Sequence, residues 1–368
     1  MKKLLHRERL EPEDARRLMG WPLDELDPLL EAAGALRDRG HGRHVTYSRK
    51  VFLPVTNLCR DRCSYCTFRK GSRDPRAWTM SPDEIREQSR RARAAGCKEA
   101  LMCLGDRPET AYPAYRVLLA GWGASSTAEY VHRACTIALE EGLLPHTNAG
   151  VLTRDEMSLL RPVNVSMGLM LENVSPRLRD RGMAHASAPD KDPTVRLSMI
   201  QQAGELAIPF TTGLLLGIGE TLEERADTLA SIRDLADRWG HIQEVIVQAF
   251  RAKPDIPMAR YPEPSDLDLA RTIAVTRLYL GASFNVQAPP NLSPHGHALL
   301  LRGGINDWGG ISPVTRDYIN PEAPWPHLEA LARTCAENGF TLGERLAVYP
   351  EFIRPEWLDP AMGARVGV

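Results

Sequence analysis

Short apolar runs alternate along this chain with longer stretches that open on helix-capping residues. The runs cover residues 51–55, 100–104, 145–148, 164–171, 210–217, 245–250 and 284–288, with a weaker one over 304–308. Between them, Ser81-Pro-Asp-Glu84, Thr153-Arg-Asp-Glu156 and Thr221-Leu-Glu-Glu224 have the form of capping boxes, in which hydroxyl and carboxylate each accept from the other residue's backbone N–H. Ser126, Asp192 and Ser265 open three more helices, and Gly96, Gly142, Gly204, Gly240 and Gly281 are placed to close helices. Near-continuous apolar strands alternating with capped helices predict a parallel sheet covered by helices. Eight such units over roughly 250 residues predict an α/β chain folded as a (β/α)8 TIM-type barrel. Because the eighth run is weak, an incomplete barrel or an open doubly wound sheet are the alternatives. Residues 1–45 read as an N-terminal helical extension, with helices opening at Glu11 and Pro22 and a loop at Gly40-His-Gly42. The barrel is expected over 46–350 and a C-terminal tail over 351–368.

In barrels of this kind, function gathers on the loops after the strands. After the first predicted strand come Cys59, Cys63 and Cys66, spaced C-x3-C-x2-C, with Tyr65 before the last. Three thiolates on one short loop suit an iron–sulfur cluster, zinc or cuprous copper. No fourth Cys or His lies nearby in the sequence to close a tetrahedral zinc site. A four-iron cluster held by three cysteines leaves one iron open to another ligand. Other strand ends carry Gly105-Asp-Arg-Pro-Glu109, His146-Thr-Asn148, Ser166 and Glu172, Thr211-Thr212, Gln243-Glu244 with Gln248, Gln287 with Asn291, and Asn306-Asp307. Polar residues set among Val, Leu and Ile predict a polar-lined cavity inside the barrel.

Composition narrows the setting. The chain has 368 residues, 25% of them charged, and a formal net charge of −1, so no basic excess points to nucleic acid or a membrane surface. The start Met-Lys-Lys-Leu-Leu-His-Arg-Glu-Arg becomes charged too soon for a signal peptide, and no apolar run approaches the ~20 residues of a membrane span. Seven cysteines, three of them clustered, argue against a disulfide framework and for a reducing compartment. A cytoplasmic enzyme is the expectation. Cys97, Cys103, Cys135 and Cys335 read as buried small hydrophobes.

The cysteine motif, placed after the first strand of an α/β chain, resembles the radical S-adenosylmethionine (radical-SAM) superfamily. More narrowly, His146-Thr-Asn-Ala-Gly150, Ser166-Met-Gly-Leu-Met-Leu-Glu172, Thr211-Thr-Gly-Leu-Leu-Leu-Gly-Ile-Gly-Glu220, Gln243-Glu-Val-Ile-Val-Gln248, Gln287-Ala-Pro-Pro-Asn-Leu292 and Asn306-Asp-Trp-Gly-Gly-Ile-Ser-Pro313 together resemble the cyclising subunit of the 7,8-didemethyl-8-hydroxy-5-deazariboflavin (FO) synthase family. Asp106 stands where many relatives carry Glu. The resemblance implies a [4Fe–4S] cluster and S-adenosylmethionine as cofactors, with Cys59, Cys63 and Cys66 as cluster ligands. It implies a place in coenzyme F-420 biosynthesis. The substrate would be the hydroxybenzyl adduct of 5-amino-6-(D-ribitylamino)uracil, closed to the deazaflavin with loss of ammonia after a 5′-deoxyadenosyl radical removes a benzylic hydrogen. A companion radical-SAM enzyme, separate or fused, would make that adduct, and an electron donor would reduce the cluster.

Under this resemblance each polar residue takes an expected role. Tyr65, Gly105, Glu109, Asn148, Ser166, Glu172, Lys191 and Arg196 are the candidates for holding S-adenosylmethionine, Glu172 at its ribose and Lys191 or Arg196 at its carboxylate. Thr212, Gln248, Gln287, Asn291, Asn306 and Asp307 are the candidates for the substrate, since amides both donate to and accept from a uracil edge. His146 is the candidate base, and Trp308 reads as a ring-stacking or core residue. The alternatives are a related radical-SAM enzyme (the adduct-forming partner, a menaquinone-pathway cyclase or a biotin-synthase-like protein) and a non-catalytic iron–sulfur carrier or zinc-stabilised module. The Gln287–Asn291 and Asn306–Gly310 segments are what separate the first group.

Overall fold

A computed structural model describes residues 9–368. Helices α1 (Pro12–Met19) and α2 (Asp27–His41) precede strand β1 (His44–Pro54). Then follow α3 (Pro82–Ala94), β2 (Glu99–Cys103), α4 (Pro108–Ala111), α5 (Pro113–Gly121), α6 (Thr127–Glu140), β3 (Leu144–Asn148), α7 (Arg154–Leu160) and β4 (Ser166–Gly168). The second half contains α8 (Pro193–Glu205), β5 (Phe210–Leu216), α9 (Leu222–Trp239), β6 (Ile242–Ala249), α10 (Asp266–Leu280), β7 (Val286–Gln287), α11 (His297–Arg302) and β8 (Asp307–Ile311). The chain ends with α12 (Leu328–Glu337), β9 (Thr341–Arg345) and α13 (Pro360–Val366).

Strands β1 to β8 are parallel and pair in sequence order, and β1 pairs with both β2 and β8, so the barrel closes. The weak eighth run is a real strand, beginning three residues later than expected, at Asp307. Its bond to β7 is a single register pair, Gln287 with Asp307. The first strand is longer than its apolar run: it starts at His44, directly after α2, whose end at Gly42 replaces the expected loop. The ninth strand was not foreseen. It pairs in parallel with the first five residues of β1, on the edge that β2 occupies further along.

Capping residues set the helix starts. Ser81, Thr153 and Thr221 each accept the N3 amide while Glu84, Glu156 and Glu224 reach back, which is why those boundaries could be read directly. Helix α8 runs one residue past Gly204. That glycine serves packing instead, since a β-carbon there would lie 2.6 Å from Trp239 Cβ. Helices α1 and α2 are tied to the barrel's outer layer by buried arginines: Arg233 Nη1 donates to Leu10 O (2.6 Å), and Arg37 Nη1 to Leu301 O (2.8 Å) and Ile305 O (3.0 Å). At the end of the chain, Val348, Tyr349, Phe352, Leu358 and Met362 pack with Leu139 and Val165 in a separate apolar cluster. Among the described residues no helix is long and apolar enough to cross a membrane.

Candidate active site

The loop after β1 is irregular and is pinned by backbone bonds to its neighbours. Arg60 N donates to Asp106 O (3.0 Å), Arg62 N to Ser187 O (2.9 Å) and Ser64 N to Ala184 O (2.9 Å). Gly105 lets the β2 loop lie against it: a β-carbon there would fall 2.0 Å from Leu58 O and 2.6 Å from Cys59 Cβ. These contacts turn Cys59, Cys63 and Cys66 toward one cavity of about 370 Å³ inside the barrel mouth. Asp106 N donates to Cys59 Sγ (3.0 Å). Burial pushes the Cys59 thiol up to about 12 and raises Cys63 as well.

Beside the cysteines, Glu172 anchors a buried network. It follows β4 with φ +65°, a left-handed conformation that non-glycine residues adopt at a cost. Tyr65 donates its hydroxyl to Glu172 Oε2 (2.5 Å), and Lys191 Nζ donates to Oε1 (2.6 Å). His185 Nε2 lies 3.1 Å from both the Tyr65 hydroxyl and Glu172 Oε2. Burial opposes ionisation of Glu172, but the Lys191 ammonium and His185 outweigh it and hold the carboxyl well below its usual range. Arg196 reaches the cavity while donating to Met170 O and Asp190 O. Near it, Asp61, Asp106 and Asp190 bring carboxylate oxygens within 4.8 Å of one another. Asp190 is neutralised by a two-pronged contact with Arg60. Burial, with Asp190 nearby, pushes Asp106 up to about 7, a site that favours an incoming cation.

The deeper half of the cavity is built by strand residues set back from the loops: Lys50, Glu99, His146, Thr211 and Glu244, with Arg345 from β9. His146 Nδ1 is 2.7 Å from Ser166 Oγ, which itself donates to Ala347 O (2.7 Å). Ser166 spends its proton on Ala347, so it accepts from His146 and the imidazole carries its hydrogen on Nδ1. Burial lowers His146 to about 4, so its Nε2 lone pair is available at neutral pH. Asn148, Gln248 and Gln287 line the cavity, and Phe52 stacks on Trp325 (5.1 Å, 14°) to form an aromatic wall.

Several expected residues sit elsewhere. Thr212 is fully buried and accepts from Leu171 N (3.3 Å); strand alternation puts Thr211, not Thr212, on the cavity side. Asn306 is held by Arg277, Asn285 and Val286 N, and Asp307 by Arg345, Thr46 and Gly309 N, so both brace the barrel wall without lining the cavity. Asn291 donates to Asp317 (3.0 Å) and Ala323 O (3.2 Å), and so fastens the 317–320 loop that does line the cavity. Glu109 bonds Thr127 at the start of α6, and Ser166 stands behind His146. Trp308 is fully buried, with Nε1 on Cys335 Sγ (3.4 Å). Lys50, Glu99, His185 and Arg345 were missed. Lys50 and Glu99 each lie one residue before an apolar run, and in a strand that period-two position faces the same side as Phe52 and Leu101.

A closed parallel barrel with three cysteines on the loop after its first strand defines a radical-SAM enzyme, and the radical-SAM superfamily model matches residues 53–232. The fold is similar to that of the FeFe-hydrogenase maturase HydG from Carboxydothermus hydrogenoformans (TM-score 0.75, 19% identity, covering 99% of this chain and 80% of that one). It is also similar to methylornithine synthase PylB (TM-score 0.72, 19% identity, covering 93% and 96%). In sequence the chain is 51% identical over 314 residues to the 7,8-didemethyl-8-hydroxy-5-deazariboflavin synthase of Methanopyrus kandleri, covering 85% of this chain and 94% of that protein. It is 48% identical over 357 residues to the FO synthase of Nocardia farcinica, spanning 93% of this chain but 41% of the Nocardia protein. The chain belongs to the 7,8-didemethyl-8-hydroxy-5-deazariboflavin synthase family, radical-SAM enzymes that make the F-420 precursor FO.

Radical-SAM enzymes in general use S-adenosylmethionine and a [4Fe–4S] cluster, and the donor set here fits them. Three thiols, Cys59, Cys63 and Cys66, face one cavity, a donor set that suits an iron–sulfur cluster.

Proposed function

We propose that this chain closes the third ring of FO from the hydroxybenzyl adduct of 5-amino-6-(D-ribitylamino)uracil. The observation that carries the reading is one cavity lined both by three cysteines at its mouth and, deeper in, by a neutral histidine and by amides that have no hydrogen-bond partner among the described residues. Cys59, Cys63 and Cys66 hold the cluster. Asp106 takes the ammonium of S-adenosylmethionine, Lys191 and Arg196 its carboxylate, and Glu172 its ribose hydroxyls. The Tyr65 backbone and Gly105 flank its adenine. When bound, this pair of cofactors supplies the 5′-deoxyadenosyl radical for hydrogen removal.

The protein's share is positioning and proton handling. Gln248 and Gln287 present donor and acceptor to the uracil edge. The Phe52–Trp325 wall takes the phenol ring and shields the radical from water. His146 Nε2 is placed to accept a proton released during ring closure. A companion enzyme supplies the adduct. The Nocardia farcinica FO synthase, of which this chain spans 41%, has room for such a companion on the same chain. A protein or chemical one-electron donor reduces the cluster.

The test is to supply adduct, reductant and S-adenosylmethionine to the reconstituted protein. A fluorescent deazaflavin is expected. Release of 5′-deoxyadenosine without deazaflavin would assign the chain another substrate.

A further inference from the structure

We infer that the Lys50–Glu99 pair at the deep end of the cavity is the seat of the substrate's polyhydroxylated chain. This rests on the reading above. A deazariboflavin carries a ribityl chain, a row of hydroxyls that each donate and accept, and such a group needs charged partners that are not already saturated.

The deep end contains two kinds of polar group. Arg345, Glu244 and Asp307 saturate one another. Arg345 Nη2 donates to Glu244 Oε1 (2.8 Å) and Asp307 Oδ1 (2.9 Å), its Nε donates to Asp307 Oδ2 (2.6 Å), and the Tyr349 hydroxyl and Thr211 Oγ1 complete Glu244. That set is a plug which seals the barrel with β9. Lys50 and Glu99 are different. Glu99 is 1% exposed and Lys50 12%, yet both line the cavity. Ser48 bonds Glu99 Oε2, and Glu99 Oε1 meets only Lys50 among the described residues. Lys50 Nζ lies 2.7 Å from that oxygen and has no other partner among the described residues, so the ammonium keeps two of its three donors unused and Glu99 Oε1 keeps room for a second donor. A buried carboxylate and ammonium with open positions are costly unless something completes them. A vicinal diol does so, donating to Glu99 and accepting from Lys50.

Gly310 makes the arrangement possible. A β-carbon there would lie 2.0 Å from Lys50 Cε, so the lysine reaches the cavity by lying across this glycine of β8. The placement also orders the substrate. The nitrogen that bears the polyol chain is the one that closes the ring. With the chain seated on Lys50 and Glu99, that nitrogen falls at the level of His146, which senses both charges. The uracil then meets Gln248 and Gln287, and the benzylic carbon faces the cysteine loop.

The experiment is a binding titration read by deazaflavin fluorescence, on holoenzyme with S-adenosylmethionine. It compares the ribityl deazaflavin with the same chromophore carrying a methyl group in place of ribityl. On the wild-type protein the ribityl compound binds at least tenfold tighter. In Glu99→Gln its Kd rises about tenfold, the size of losing a hydrogen bond to a charged group, while the methyl compound moves less than twofold. Equal affinity of the two compounds for wild type, or equal loss of both in the variant, overturns the assignment. The wild-type comparison needs no mutant, so a folding defect in Glu99→Gln leaves it intact. Failure of the parent reading looks different: no deazaflavin is formed from the adduct and neither compound binds.

Discussion

The Gln287 amide lies directly over the α-carbon of Gly309, so close that a β-carbon would fall 2.0 Å from Gln287 Nε2. Gly309 also has φ +71°. The segments Gln287-Ala-Pro-Pro-Asn291 and Asn306-Asp-Trp-Gly-Gly310 are therefore one device: the second clears the space that the first fills. Gly309→Ala is expected to lower kcat/KM at least about tenfold by displacing the amide, a misplacement penalty of the usual size. Gly121→Ala, with nothing within 4 Å, is the control and should leave turnover unchanged. Steady-state kinetics on both variants checks this.

Cys63→Ala removes one of the three proposed cluster ligands. Iron content after anaerobic reconstitution should collapse together with 5′-deoxyadenosine formation, because a two-cysteine site cannot hold the cluster against solvent. Full iron loading with retained turnover would remove Cys63 from the ligand set.

Arg345→Ala leaves Glu244 and Asp307 buried without their cation. Breaking a buried pair in this way costs about 3–5 kcal/mol. Urea unfolding should show that loss, and Arg345→Lys should recover only part of it, since one ammonium cannot span both carboxylates.

His146 gives a pH signature. Burial holds it near 4 in the folded chain, below its ordinary 6.5. Between those values the unfolded chain takes up a proton that the folded chain refuses, so stability falls as pH drops from about 6.5 toward 4 and is unaffected above that window. His41 and His241, also held near 4, act in the same direction. His146→Gln should flatten the stability slope below pH 6 by about 1.4 kcal/mol per pH unit, one proton's worth. Denaturant midpoints at pH 7 and pH 5 measure it, and an unchanged slope would mean that His146 is charged in the native state.

The barrel was legible because its signals are local. Capping boxes at Ser81, Thr153 and Thr221 fixed helix starts, and apolar runs fixed seven strands to within a few residues. The extension of β1 back to His44 was hidden because Thr46, Ser48 and Lys50 are polar, and they are polar because they face β8, Glu99 and the cavity. Strand β9 was hidden for a related reason: Glu344 and Arg345 form ion pairs with residues distant in sequence, which no local pattern announces. In the site, the cysteine loop and Glu172 stood out by spacing and position. Thr212, Asn306 and Asp307 were misplaced because a strand-end polar residue looks the same whether it faces the cavity or braces the wall; only the register decides.

We propose that this cavity directs hydrogen removal to the benzylic methylene of the adduct. The most direct measurement supplies adduct deuterated at that carbon and analyses the 5′-deoxyadenosine by mass spectrometry. One deuterium in 5′-deoxyadenosine, appearing together with deazaflavin, is the predicted result. Unlabelled 5′-deoxyadenosine formed at the same rate with and without adduct would contradict it.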